Sequence, residues 1–237
     1  MSNLNKRMFE NNIEEKWLDK LWPFLSSNKM IANFKAIKGQ KSFNIVYPPY
    51  EDCFKAFKLT PWDDIKVVII GQYPYNDGSA DGLAYSASRV VNYPTALVNI
   101  ILEVEEDCYN GLNIERVCNP NLAGWAKQGV LMLNTAFTVE RKKLGNHNVF
   151  WNDFTQEVFR LLREEKTGLI YLLWGDHPKS YKKYISEKFN YILESGDPHN
   201  LQNKKNTDLF RQCKHFSKTN DIIMQNNGPE LCIDWGI

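Results

Sequence analysis

Short continuous apolar runs separate longer amphipathic stretches along this chain, and that alternation predicts its architecture. Val67-Val68-Ile69-Ile70 sets four β-branched apolar residues in a row, the pattern of a strand buried on both faces. Residues 130–133 and 169–174 repeat it, and Tyr191-Ile192-Leu193 gives a shorter fourth run. Between these runs the apolar positions fall at helical spacing. Ile13, Trp17, Leu21 and Leu25 predict an N-terminal helix with Pro23 near its end, and Cys53, Phe54 and Phe57 a short one stopping before Thr60-Pro61. Leu97, Ile100, Ile101 and Val104 predict a helix capped by Thr95; Phe154, Val158, Leu161 and Leu162 predict one stopped by Gly168. Further helices are expected over 180–189 and near 219–224, and 107–122 reads as a polar loop. Strands alternating with amphipathic helices mean an α/β fold: a central, mainly parallel four-stranded sheet flanked by helices. Without a Gly/Ser linker or internal repeat, residues 1–237 are expected to form one domain, with 1–45 as its N-terminal helical part.

Composition narrows the function classes. An apolar content of 43% and an aromatic content of 13% supply a sizeable core and argue against wholesale disorder. Lys+Arg 29 against Asp+Glu 28 leaves a formal charge of +1, which disfavours a strongly electrostatic DNA coat yet leaves room for a local basic patch. Cys53, Cys108, Cys118, Cys213 and Cys232 are odd in number and scattered, so reduced thiols are expected rather than disulfides or zinc ligation. His147, His177, His199 and His215 form no ligand cluster, and neither a metal nor a cofactor is expected. No secretory or membrane-spanning run is evident, which predicts a soluble intracellular protein, in the cytoplasm or, in a eukaryote, the nucleus.

Each strand candidate ends in polar or conformationally special residues: Gly71-Gln72, Asn134-Thr135, Gly175-Asp176 and Gly196-Asp197. In a parallel sheet those ends share one rim, so their loops should converge on one pocket. Pro74 and Gly78 stiffen the first loop; Tyr73, Tyr75 and Tyr85 could stack on a planar ligand, and Asn134 could read its polar edge. Taken singly, an Asn after a strand is ordinarily a turn residue and a Tyr ordinarily packs. Convergence is what favours a site.

At this level of detail the chain resembles a family, the family 1 uracil-DNA glycosylases, from about Tyr47 to Trp235. Tyr47-Pro48-Pro49-x-Glu51-Asp52, then Lys66-Val67-Val68-Ile69-Ile70-Gly71-Gln72, is similar to that family's approach to its water-activating loop. Gly124-Trp125-Ala126-Lys127-Gln128-Gly129-Val130-Leu131-Met132-Leu133-Asn134-Thr135 matches its base-reading strand nearly residue for residue. His147, Trp151, Leu172-Leu173-Trp174-Gly175, Lys214-His215-Phe216-Ser217-Lys218-Thr219-Asn220 and Ile233-Asp234-Trp235 follow in the family's order. The resemblance implies an enzyme that flips a nucleotide out of DNA and hydrolyses the bond between deoxyribose and uracil. It implies that Gln72 meets the base with its backbone and that Tyr85 stacks on it where the family has Phe. Asn134 would pair with the uracil edge, and Tyr75 would exclude the thymine methyl. Leu201 would fill the gap left by the flipped base.

The departures bear on the chemistry. The family's first loop reads Gly-Gln-Asp-Pro-Tyr-His; here Tyr73 stands for the Asp that orients water and Asn76 for the His. The family's later loop reads His-Pro-Ser-Pro-Leu-Ser; here Asp197 stands for the His that supports the departing uracil anion, with His199 and Gln202 at the serine positions. Ala96 and Asp176 also replace family serines that hold DNA phosphates. The expected function is uracil excision with an altered set, Asp197 supporting the cationic sugar or positioning water, and His199 or Asn76 hydrogen-bonding the departing base. A non-catalytic homologue that binds uracil-containing DNA or a protein partner is the alternative, and a glycosylase for a modified pyrimidine the third. DNA is the expected partner, and the expected state is a monomer.

Overall fold

The computed structural model describes residues 5–41, 45–88, 93–111, 119–200 and 209–236. Two helices open the chain. α1 (Glu15–Leu25) begins where Glu14 accepts hydrogen bonds from the Lys16 and Trp17 amides, at 3.0 and 3.2 Å, and it buries Trp17, Leu18, Leu21 and Leu25. α2 (Asn28–Lys41) follows and was not anticipated, because its amphipathic signal is weak: Met30 and Ile37 reach the core while Lys29, Lys35 and Lys38 face away and Ala32, Ala36 and Gly39 interrupt the pattern. A two-residue strand, β1 (Val46–Tyr47), leads to α3 (Lys55–Leu59), which ends before Thr60-Pro61 as expected.

β2 (Val67–Gly71) is buried along its whole length. The loop after it runs to α4 (Thr95–Tyr109), and α5 (Ala123–Lys127) precedes β3 (Val130–Asn134), which is also fully buried. β4 (Val139–Glu140) pairs antiparallel with β1. α6 (Asn148–Glu165) then leads to β5 (Ile170–Trp174), the short α7 (Asp176–Lys179), β6 (Tyr191–Ser195) and α8 (His215–Asn227). The main sheet has the order β3-β2-β5-β6 with every pair parallel, which bears out the four-stranded α/β reading. The edge strand β6 exposes Tyr191 and Glu194, which is why its apolar run is the shortest. Beneath β2 and β3, Phe54, Phe57, Phe137, Trp151 and Phe154 pack ring against ring, with Phe57 stacked on Phe137 at 5.7 Å. No helix among the described residues is long and apolar enough to cross a membrane.

Three local expectations are corrected. Thr95 does not cap α4: it is the first helical residue, and Pro94, with φ fixed at −58°, occupies the cap with no side-chain bond. The segment read as a loop from Asp107 starts later, because α4 runs on to Tyr109 and stops at Asn110 in the left-handed region, φ 53°. The helix expected over 180–189 is absent. A 3₁₀ turn at Lys182–Tyr184 takes its place, and the Asn190 amide donates to the Ser186 carbonyl and accepts from the Leu169 amide, both at 3.0 Å. Those bonds hold the chain end against β5 instead of continuing a helix. Tyr181 and Tyr184 pack on Phe159 from the turn.

Candidate active site

Parallel pairing puts the ends of the four strands on one rim. Gly71 lies opposite Asn134, and Trp174 opposite Ser195. The loops leaving them surround a cavity of about 420 Å³. Gln72, Tyr73, Tyr75 and Asn76 line it from the first loop, Tyr85 from farther along the same connection, Asn134 from β3, and Asp197 and His199 from the loop after β6. Sequence reasoning singled out all of these, and the fold brings them together. Leu201, Gln202, Lys204 and Lys205 lie outside the described residues.

Each wall is held by a specific device. Asn134 is 6% exposed, and its amide makes no hydrogen bond to the described residues, leaving donor and acceptor for a ligand. Gly71 makes room for it: a Cβ there would stand 2.4 Å from Asn134 Oδ1 and 2.9 Å from Ala84 Cβ. The connection bearing Tyr85 is pinned by the Ala84 amide on the Met132 carbonyl, 3.1 Å, and by buried Asp81, which accepts from the Leu83 amide and the Ser86 hydroxyl at 3.2 and 2.7 Å. Tyr85 itself sits at φ 62°, a conformation that costs a non-glycine residue roughly 1–2 kcal/mol. That cost places its ring against Trp174, centroids 5.5 Å apart, while the Tyr75 hydroxyl donates to the Tyr85 carbonyl at 3.1 Å. Burial raises both phenols well above their ordinary range, with the charge of Asp197 adding to Tyr85 and those of Asp77 and Asp81 to Tyr75. Both are neutral donors and surfaces at any physiological pH.

Asp197 is the carboxylate of the cavity. Its Oδ1 accepts from the His199 amide at 2.8 Å and faces His199 Nδ1 at 3.0 Å. Burial pushes its pKa up, but the His199 ring and backbone bonds and the imidazolium charge outweigh that, and the net shift is downward. An ionised carboxylate only accepts, so Nδ1 carries the hydrogen and Nε2 is the nitrogen left to a ligand. Gly175, at φ 90°, lets the strand end pass beneath: a Cβ there would stand 2.9 Å from Asp197 Cβ. From the other side the buried Asn99 of α4 donates to the Pro198 carbonyl at 2.6 Å and fixes this loop.

The chain's similarity to known proteins can be set beside this geometry. The model of the uracil DNA glycosylase superfamily matches residues 57–223. A uracil-DNA glycosylase of Campylobacter lari is 37% identical over 229 residues, 95% of either chain, and one of Fusobacterium nucleatum is 41% identical over 194 residues, 81% of this chain and 82% of that one. The chain belongs to the uracil-DNA glycosylase superfamily. A mimivirus uracil-DNA glycosylase shares its fold, with a TM-score of 0.83 at 23% identity over 98% of this chain and 90% of that one. A variant of that mimivirus protein solved in complex with UGI superposes with a TM-score of 0.84 at 24% identity, over 98% of this chain and 92% of that one.

Within this glycosylase-type site, some residues that line the cavity or hold its wall escaped sequence reasoning. His177 sits in the wall, where the Thr135 hydroxyl donates to the Gln72 carbonyl at 2.9 Å and therefore accepts from His177 Nε2 at 2.8 Å. Burial lowers the pKa of His177 and favours the neutral ring. Its signal was position, two residues beyond the strand-ending Gly175. Asn99 had a signal too, an amide set among Leu97, Ile100 and Ile101 on the apolar face of a helix. Leu144, exposed at the cavity mouth, had none that separates it from an ordinary turn residue. His147 is structural: buried, with Nδ1 2.8 Å from Thr138 Oγ1 and Nε2 2.5 Å from Gln40 Oε1.

Proposed function

We propose that this protein is an active uracil-DNA glycosylase in which the Asp197–His199 pair carries the charge work of base release. The observation behind this reading is the doubly hydrogen-bonded Asp197 carboxylate in the wall of a cavity that also presents Asn134, Tyr75 and Tyr85. A flipped deoxyuridine enters with its ring against Tyr85. The Asn134 amide donates to O4 and accepts from N3–H; cytosine reverses both groups and leaves buried partners unpaired. The Tyr75 ring, tied to the Tyr85 backbone, crowds the five-position and refuses the thymine methyl. As the bond from C1′ to N1 breaks, its electron pair leaves with the base and positive charge develops on the sugar. Asp197 stabilises that cation and takes the proton of the water that attacks C1′. The Asn76 amide, or His199 Nε2 in the doubly protonated imidazolium, donates to the departing anion. A positioned acid/base group contributes about 10²–10⁴ in rate and one anion donor about 10²–10³.

Asp197→Asn removes the charge and keeps the shape. Excision of uracil from single-stranded DNA should fall by at least ~10², and excision at the wild-type rate would sink the assignment. Tyr73 supports a second reading, because it lines the cavity where the family carries a carboxylate. On that reading the protein holds uracil-containing DNA without cutting, and binding without release of free base would support it. The Tyr75–Tyr85 contact opposes a preference for bulky five-substituted pyrimidines, which a panel of base-modified oligonucleotides would test.

A further inference from the structure

The turn Arg141-Lys142-Lys143-Leu144 is exposed at all four positions and ends on a residue that lines the cavity, Leu144. This turn is built on a rigid base. It leaves β4, the Arg141 amide donates to the Ile45 carbonyl at 2.8 Å, and the Lys143 amide donates to the Glu140 carbonyl at 3.0 Å. Buried Glu140 accepts from Asn146 Nδ2 at 2.9 Å and pairs with Lys143 Nζ at 2.6 Å, which uses the charge of that lysine. Lys142 adopts φ 62°, so a charged side chain is carried where glycine would be the easier residue. Arg141 and Lys142 form no ion pair with the described residues. Leu144 is 58% exposed and lines the cavity. Two cations without an ion pair among the described residues therefore stand two and three positions before the leucine that lines a pocket whose wall carries Asp197, with Asp176 just past the end of β5. In a chain of net charge +1, that is a local and directional positive field.

We infer that the 141–144 turn is a DNA-strand contact, in which Arg141 and Lys142 neutralise phosphates flanking the flipped nucleotide and Leu144 packs against its sugar and neighbouring base. The inference rests on the glycosylase reading for its ligand and adds a grip on the DNA backbone outside the base pocket. The match is charge complementarity next to apolar contact: phosphates are singly charged and regularly spaced, and a splayed nucleotide exposes the apolar faces of its sugar and base.

The test is the salt dependence of binding to an oligonucleotide carrying a tetrahydrofuran abasic analogue. Each phosphate that the protein ceases to neutralise lowers the slope of log K against log salt by about 0.7 on a single strand and about 0.9 on duplex. Arg141→Gln with Lys142→Gln should reduce it by about 1.4 or about 1.8 respectively. The control Lys127→Gln with Lys188→Gln removes equal charge at the opposite end of the sheet, where α5 precedes β3 and Lys188 precedes β6, and should leave the slope unchanged. Leu144→Ser should raise KM for a uracil oligonucleotide about tenfold, the weight of one buried leucine contact, with kcat kept. Thermal melts would establish that every variant is folded. An unchanged slope in the Arg141/Lys142 variant, or an equal change in the control, overturns the inference. A wild-type protein that binds the abasic analogue yet releases no uracil from a uracil oligonucleotide overturns the glycosylase reading alone, and the slopes still judge the turn. Failure of the wild type to bind DNA overturns both.

Discussion

Gly71→Ala isolates the geometry on which base reading depends. The added Cβ would meet Asn134 Oδ1 at 2.4 Å and Ala84 Cβ at 2.9 Å, where ordinary contact begins near 3.4 Å. Ala84 cannot yield readily, because its amide is bound to the Met132 carbonyl at 3.1 Å. The Asn134 amide, unbonded to the described residues, can yield, and it must move by about 1 Å. A displacement of that size in a positioning group costs about 10² in rate, or about 2.7 kcal/mol of transition-state stabilisation. Overpacking should cost a further 1–3 kcal/mol of stability, roughly, which lowers Tm by about 2–12 °C in a chain of this length. The assay is single-turnover release of uracil from an oligonucleotide, run with a thermal melt. The partner variant is Gly39→Ala: this glycine lies inside α2 with nothing within 4 Å of an added Cβ. It should gain about 0.5–1 kcal/mol and leave the rate untouched. A folded Gly71→Ala protein excising uracil at the wild-type rate would refute the placement of Asn134.

Removing the reader outright, Asn134→Ala should lower kcat/KM for uracil by at least ~10², since the polar edge of the base is left unpaired, and steady-state excision would measure it. Asn99→Leu orphans the Pro198 carbonyl and loosens the Asp197 loop; roughly 1–3 kcal/mol of stability should be lost in denaturant unfolding, with kcat falling more than KM rises. His177, lowered by burial from 6.5, binds its proton more readily in the unfolded chain. Its contribution to stability is therefore full above the unfolded pKa and is lost as pH falls through the folded one. Melts across that interval should steepen below pH 6.5 in the wild type and flatten in His177→Gln.

The parts of this architecture written in local patterns were legible in the sequence. β2, β3 and β5 are continuous apolar runs because both of their faces are covered, and the polar ends Gly71, Asn134 and Gly175 announce the rim. What escaped has physical reasons. α2 is held by only a few core residues, so its alanines and glycine blur the helical period. The 180–189 segment carries a helical spacing of aromatics, yet Asn190 and the β5 backbone take its hydrogen bonds elsewhere. Thr95 has the residue type of a cap, but Pro94, with its φ fixed by the ring, takes that position and makes Thr95 the first helical residue. Within the site, the residues facing a ligand were readable one by one. The bonds that hold them were not: Thr135 to Gln72, Asn99 to Pro198 and His199 to Asp197 join loops distant in the chain or depend on how one loop folds. Tyr85 illustrates the limit, since its residue type suggested stacking but its left-handed backbone could come only from the fold.

The central claim is that catalysis persists with Tyr73 in the first loop because Asp197 and His199 supply the charge in the last. The most direct test measures free uracil and bound DNA in the same sample, with labelled uracil oligonucleotide in excess over protein, for the wild type and for Asp197→Asn. The account predicts multiple turnovers by the wild type, with loss of release but retention of binding in the variant. Stoichiometric binding without free uracil from the wild type, or equal release by both proteins, would contradict it.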